Sequence, residues 1–235
     1  MVKVKAVFFD LDDTLYDTTL QVKSARENAV KAMIGCGLHA EYVEAMEKLR
    51  RVVVKYGANY KYHYNELLRE FGVEEDPKII AAGIVAYHET KKAYLVPYPD
   101  TIPTLLELER RQLSLGVVTD GVPVKQWEKL IRLGLQHFFN VVVVTPEGGK
   151  QKPDASPLLN AAESVGAKPA ECVFVGDRLD RDIAAGNKAG FTTVQLMKGH
   201  YSGVGPKDGG EEPDYIIPDL ESLLTVLEEI EKEGE

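Results

Sequence analysis

Three apolar runs in this chain of 235 residues end in carboxylates: Phe8-Phe9-Asp10-Leu11-Asp12-Asp13-Thr14, Val117-Val118-Thr119-Asp120-Gly121 and Val173-Phe174-Val175-Gly176-Asp177. A lysine, Lys152, lies in the loop after a fourth apolar run at 141–144. One acidic run-end is an ordinary helix cap. Three of them with a lysine make a site, provided the fold brings them together. Carboxylates gathered in one place repel one another unless a cation offsets their charge. Hard oxygen donors suit Mg²⁺, which binds through one or two carboxylates, waters and substrate phosphate. An acidic pocket holding Mg²⁺ and a lysine is equipped to accept an anionic phosphoryl group.

The elements that would position these groups follow from periodicity. Residues 4–10 read as a short buried strand running into a loop. About eighty residues follow without a convincing strand, with apolar stripes at helical spacing through Val22, Ala25, Ala29 and Met33 and through Ile79, Ala82, Ile84, Val85 and Tyr87. From Pro99 onward helices expected at 101–112, 123–133, 156–165 and 180–189 alternate with strands at 114–119, 141–144, 172–176 and 192–196. A final strand at 214–217 and helix at 219–232 complete the pattern, and the glycine-rich stretch 198–213 reads as a surface loop. Short apolar strands separated by amphipathic helices predict an α/β fold, a Rossmann-like parallel sheet covered on both faces. The expected domains are a catalytic core of 1–16 and 99–235 and an inserted α-helical cap of 17–98. Charge divides the same way: 17–98 is net +1 and the remainder net −10. In such sheets ligands bind beyond the carboxyl ends of the strands, where the acidic run-ends fall.

In order and spacing, Asp10-x-Asp12-x-Thr14-Leu15, Thr119-Asp120-Gly121, Lys152-Pro153 and Gly176-Asp177 with Asp182 resemble the four motifs of the haloacid dehalogenase-like (HAD) hydrolases. The helical insert between the first two motifs resembles the cap of the family's early-cap subclass. The resemblance implies a Mg²⁺-dependent phosphatase acting on a small phosphorylated metabolite through an aspartyl-phosphate. Asp10 would be the nucleophile, since a carboxylate with an ordinary pKa of about 3.9 is ionised at neutral pH without a partner base. Asp12 would be general acid and then general base. Thr119 and the N–H groups of Asp120 and Gly121 would bind phosphoryl oxygens, and Lys152 would pair with both nucleophile and phosphoryl group. Asp10, Asp177 and the Asp12 main-chain carbonyl would hold the metal, with Asp182 supporting them. The family often has Asn where Asp120 stands. Arg178, Asp180 and Asp13 read as capping, surface and turn residues.

Alternatives of the same fold are a 2-haloacid dehalogenase, a phosphomutase and a non-catalytic regulatory module. Asp12 favours ester hydrolysis over dehalogenation, because an alkoxide needs a proton on leaving and a halide does not. Tyr60, Tyr62, His63 and Tyr64 in the insert read either as packing or as a substrate-selecting surface. The insert enters near Asp17 and leaves near Pro97-Tyr98-Pro99, a connection stiffened by its prolines. A net charge of −9 argues against nonspecific nucleic-acid binding. No apolar run approaches the roughly 20 residues of a membrane span, and the acids at 10, 12 and 13 interrupt any signal peptide, so the cytoplasm is expected. Cys36 and Cys172 read as separate buried thiols, and a monomer or homodimer is expected.

Overall fold

A computed structural model of the chain describes residues 3–233. Six strands form one sheet: β1 (Ala6–Phe9), β2 (Ser114–Asp120), β3 (Val141–Thr145), β4 (Cys172–Gly176), β5 (Thr192–Leu196) and β6 (Tyr215–Ile217). They pair in the order β3-β2-β1-β4-β5-β6, every pair parallel. The expected Rossmann-like sheet is present, and its order reverses between β1 and β4. At such a switch point the loops leaving the two neighbouring strands diverge and open a crevice.

Alternation along β1 shows how both faces are covered. Val7 and Phe9 join a core with Leu105, Leu108, Leu130, Leu223 and Leu227, whereas Ala6 and Phe8 join another with Leu158, Ala161, Ala185 and Ala189. The first core lies under α5 (Thr101–Arg110), α6 (Pro123–Arg132) and α9 (Leu223–Glu233), the second under α7 (Ser156–Ser164) and α8 (Ala184–Ala189). Side chains alternate across a strand, so a continuous apolar run serves a sheet covered on both sides.

The chain divides into two compact units, one comprising the segments up to Thr19 and from Leu95, the other Leu20–Tyr94. These junctions fall inside the expected limits of 16/17 and 98/99. Tyr16 forms a bridge with Pro97, and the Tyr98 N–H and Thr101 hydroxyl both donate to the Leu15 carbonyl, at 3.1 and 2.9 Å, which ties these residues into the sheet unit. The helical unit draws on α1 (Thr18–Gly35), α2 (Tyr42–Tyr56), α3 (His63–Glu70) and α4 (Pro77–Ala93). It has its own core of Val30, Met33, Leu38, Ala45, Leu49, Leu67, Leu68 and Ile79.

Two expected helices begin differently. The helix expected at 180–189 opens with a π turn, Leu179–Ile183, and becomes α-helical only at Ala184. The Arg178 carbonyl accepts from both the Asp182 and Ile183 N–H groups, at 2.8 and 3.1 Å, which widens that turn. At the C-terminal helix the Asp219 carboxylate accepts from the Ser222 N–H and hydroxyl, holding a turn there, and the helix starts at Leu223.

Candidate active site

Asp10 follows β1 directly and donates its N–H to the Val175 carbonyl at 2.9 Å, which fixes it beside the end of β4. Asp177 follows β4, and Asp182 folds back from the π turn. One carboxylate oxygen from each of Asp10, Asp177 and Asp182 lies within 4.8 Å of the other two, and all three residues are buried. Gly176 makes the approach possible: a Cβ there would collide with the Asp182 carboxyl group. Asp182 accepts the Arg178 N–H at 3.0 Å through Oδ2, leaving Oδ1 to face the cluster.

Lys152 supplies the positive charge. Its Nζ donates to Asp10 Oδ1 at 2.6 Å, to Asp182 Oδ1 at 2.7 Å and to the Val118 carbonyl at 3.0 Å. Burial alone would lower the lysine's pKa, but the charges of Asp10 and Asp182 outweigh it and hold the ammonium form. One lysine does not neutralise three carboxylates. Burial, together with the neighbouring acids, pushes Asp10 up to about 7 despite Lys152, and pushes Asp177 up to about 9. Without a cation beside it, Asp10 is held above the ordinary carboxylate value. A cluster of oxygen donors with more negative charge than it can hold is the donor set a divalent cation fits.

Asp12 faces a different environment. Its Oδ1 accepts from the Tyr16 and Thr18 hydroxyls, Gln126 Nε2 donates to Oδ2 at 3.1 Å, and Lys129 Nζ reaches both oxygens, at 2.6 and 2.7 Å. Burial raises its pKa, but the Lys129 charge and these hydrogen bonds more than reverse the effect and hold the carboxyl well below the usual range. In this arrangement Asp12 has the form of a base. The third gathered acid is Asp182, expected as a support, and the Asp12 side chain lies outside the cluster.

At the end of β2, Thr119 is buried and its Oγ1 accepts from Gln126 Nε2 at 2.8 Å, which leaves the hydroxyl proton to donate. Gly121, at φ +137°, donates its N–H to the Thr145 carbonyl at 2.9 Å. That N–H extends the β2–β3 pairing, so the donor expected to meet a phosphoryl oxygen is engaged here by the Thr145 carbonyl. Asp120 accepts from the Lys152 N–H at 3.3 Å and from Arg181 at 3.2 Å. An acid in place of the usual Asn thus gains a cationic partner and links the second and third motifs.

The haloacid dehalogenase-like hydrolase family matches residues 4–190. The chain belongs to this family. It is 47% identical over 232 residues to the glyceraldehyde 3-phosphate phosphatase of Methanopyrus kandleri, covering 98% of this chain and 100% of that one. It is 42% identical over 230 residues to the glyceraldehyde 3-phosphate phosphatase of Methanocaldococcus jannaschii, with 98% and 100% covered. The crystal structure of a HAD phosphatase from Thermococcus onnurineus superposes with a TM-score of 0.65 at 27% identity, covering 95% of this chain and 98% of that one.

Within this HAD-like hydrolase, Arg178 pairs with Asp180 at 2.8 Å and stacks over the Tyr201 ring at 4.4 Å. Asp13 adopts φ 59° and its carboxylate accepts from the Thr19 N–H and hydroxyl at the start of α1. In the helical unit Tyr60 stacks on Tyr56 and meets Tyr62 and His63 edge-on, whereas Tyr64 meets Tyr87. Both cysteines are free thiols, Cys172 buried and Cys36 half-buried. Among the described residues no helix is long and apolar enough to cross a membrane. Sequence reasoning missed Gln126, Lys129 and Arg181. For Gln126 a signal was there: it shares one helical stripe with Leu130 and Leu133, a polar residue where burial is expected.

Proposed function

We propose that this HAD-like hydrolase is a Mg²⁺-dependent phosphatase of small phosphate monoesters, working through an aspartyl-phosphate on Asp10, with glyceraldehyde 3-phosphate as its first candidate substrate. The observation that carries the reading is Lys152 set between Asp10 and Asp182 in a buried cluster with Asp177. Such a cluster combines a nucleophile, its charge partner and surplus oxygen ligands. The two archaeal relatives, similar over nearly the whole chain, support the substrate.

In the first step an Asp10 carboxylate oxygen attacks phosphorus and the ester P–O bond breaks. The leaving oxygen keeps the bonding electrons and takes a proton from Asp12. In the second step water attacks phosphorus, Asp12 takes the water proton, and the acyl–phosphate bond breaks to release inorganic phosphate and restore Asp10. The ionised Asp12 described above suits the second step directly; in the first, the same carboxyl group carries the proton that goes to the leaving oxygen. Lys152 offsets negative charge on Asp10 and on the phosphoryl oxygens, and the Thr119 hydroxyl donates to one of those oxygens. Asp10, Asp177 and the Asp12 main-chain carbonyl would hold Mg²⁺, with Asp182 beside them. Bound there, the ion supplies the positive charge that keeps Asp10 and Asp177 ionised.

Phosphate release from glyceraldehyde 3-phosphate, above the enzyme-free rate, tests the reading. It should require Mg²⁺, stop in chelator and return with excess Mg²⁺. Release of halide from 2-haloacids without phosphatase activity would overturn it.

A further inference from the structure

Two side chains of α6 stand three residues apart on one helical face and both reach Asp12 across more than 100 residues of sequence. Gln126 is 3% exposed, and its amide is shared among Asp12 Oδ2 at 3.1 Å, Thr119 Oγ1 at 2.8 Å and the Asp120 carbonyl at 3.2 Å. Lys129 brackets both Asp12 oxygens from the other side. A surface lysine would gain little from one such contact. Here the ammonium meets a carboxylate already fixed by Tyr16 and Thr18, so five side-chain donations converge on two oxygens.

We infer that Gln126 and Lys129 are positioning residues: they hold the Asp12 carboxylate at a fixed place relative to the phosphate-binding end of β2. The link runs through one amide. Gln126 touches Thr119 and Asp120 on the strand that faces the phosphoryl group and touches Asp12 on the loop that serves the leaving group. Lys129 then selects among the orientations of Asp12 by bidentate contact. Neither residue needs to touch substrate. Without them Asp12 keeps only its hydroxyl contacts on Oδ1, and Oδ2 loses both of its donors. A general acid displaced by as little as ~1 Å loses much of its effect.

This inference rests on the proposed role of Asp12, so the test includes Asp12 itself. Lys129→Met, Lys129→Arg, Gln126→Leu, Asp12→Asn and the Asp12→Asn/Lys129→Met double variant are compared on an alkyl ester, glycerol phosphate, and on p-nitrophenyl phosphate, whose leaving group departs with little protonation. Lys129→Met and Gln126→Leu should each lower kcat on glycerol phosphate by about ten- to a hundredfold, with KM nearly unchanged and a clearly smaller loss on the aryl ester. Lys129→Arg should restore much of the loss. The double variant should be no slower than Asp12→Asn alone, since Lys129 has nothing left to position.

Equal losses on the two esters, losses confined to KM, no loss at all, or additive effects with Asp12→Asn would each overturn the positioning role. If Lys129→Met does not fold, Lys129→Arg and Gln126→Leu decide by the same criteria. If Asp12→Asn shows the leaving-group dependence and the α6 variants do not, the inference alone falls. If Asp12→Asn loses both esters equally, the acid role falls and takes the inference with it.

Discussion

The proposed nucleophile, Asp10, sits in a place that favours its protonated form. Burial and the nearby acids raise it to about 7, and Lys152 works against that rise, as the proposed cation would. Asp10→Asn should fold like the native chain and lose turnover by on the order of 10³-fold or more, because the amide has nearly the same shape but cannot displace the ester. Phosphate release and circular dichroism together check this. The same burial makes stability depend on pH. Asp10 and Asp177, with folded values of about 7 and about 9 against 3.8 unfolded, keep protons in the folded protein that the unfolded chain gives up. Their contribution is full below the unfolded value and is lost as pH rises through the folded ones. Asp12 runs the other way, its contribution present above its ordinary pKa and lost on acidification. Metal-free protein should therefore melt at progressively lower temperature from about pH 5 to pH 9, and Mg²⁺ should flatten that slope while binding more tightly at higher pH. Thermal melts with chelator and with Mg²⁺ measure it; a melting temperature that rises across this range in chelator would contradict the assignment.

At the scale of elements, two glycines on the strands either side of β1 do different work. A Cβ on Gly116, in the middle of β2, would stand 2.6 Å from the Phe8 ring and 2.8 Å from Val141. A Cβ on Gly176, at the end of β4, would strike the Asp182 carboxyl group that pairs with Lys152. Both replacements by alanine should cost about 1–3 kcal/mol of stability, as overpacking generally does. Only Gly176→Ala should also cut kcat disproportionately, because what must move is a charged group of the site rather than a ring in the core. Chemical denaturation paired with turnover for the two variants separates these outcomes. The π turn at Leu179–Ile183 belongs to the same device, since it returns Asp182 toward the strand end that Gly176 leaves open.

At the scale of the molecule, each unit carries a hydrophobic core of its own, which the contrast in charge between 17–98 and the rest already suggested. Leu49→Ala, in the helical core, should destabilise that unit by about 2–5 kcal/mol, seen as earlier loss of helical signal on denaturation. The carboxylates and Lys152 of the sheet unit share no side chain with that core, and the Mg²⁺ binding proposed for them should persist in the variant; calorimetric titration checks it. Alternating apolar runs and helical stripes were enough to read the parallel sheet, because periodicity is a local property that burial imposes on every strand and helix. Strand ends rich in carboxylate were likewise enough to read Asp10 and Asp177 as partners, since parallel strands all deliver their ends to one edge. The sequence did not contain the local means to say that Asp182 lies within the acidic cluster itself, or that the Gly121 N–H is taken by Thr145. Nor could it show Gln126 and Lys129 closing on Asp12. Those outcomes depend on which donor meets which acceptor between residues far apart in the chain, and on the buried surroundings that shift Asp10 and Asp12 in opposite directions. Strand order and the turn after each strand set those distances, and they exist only once the sheet has formed.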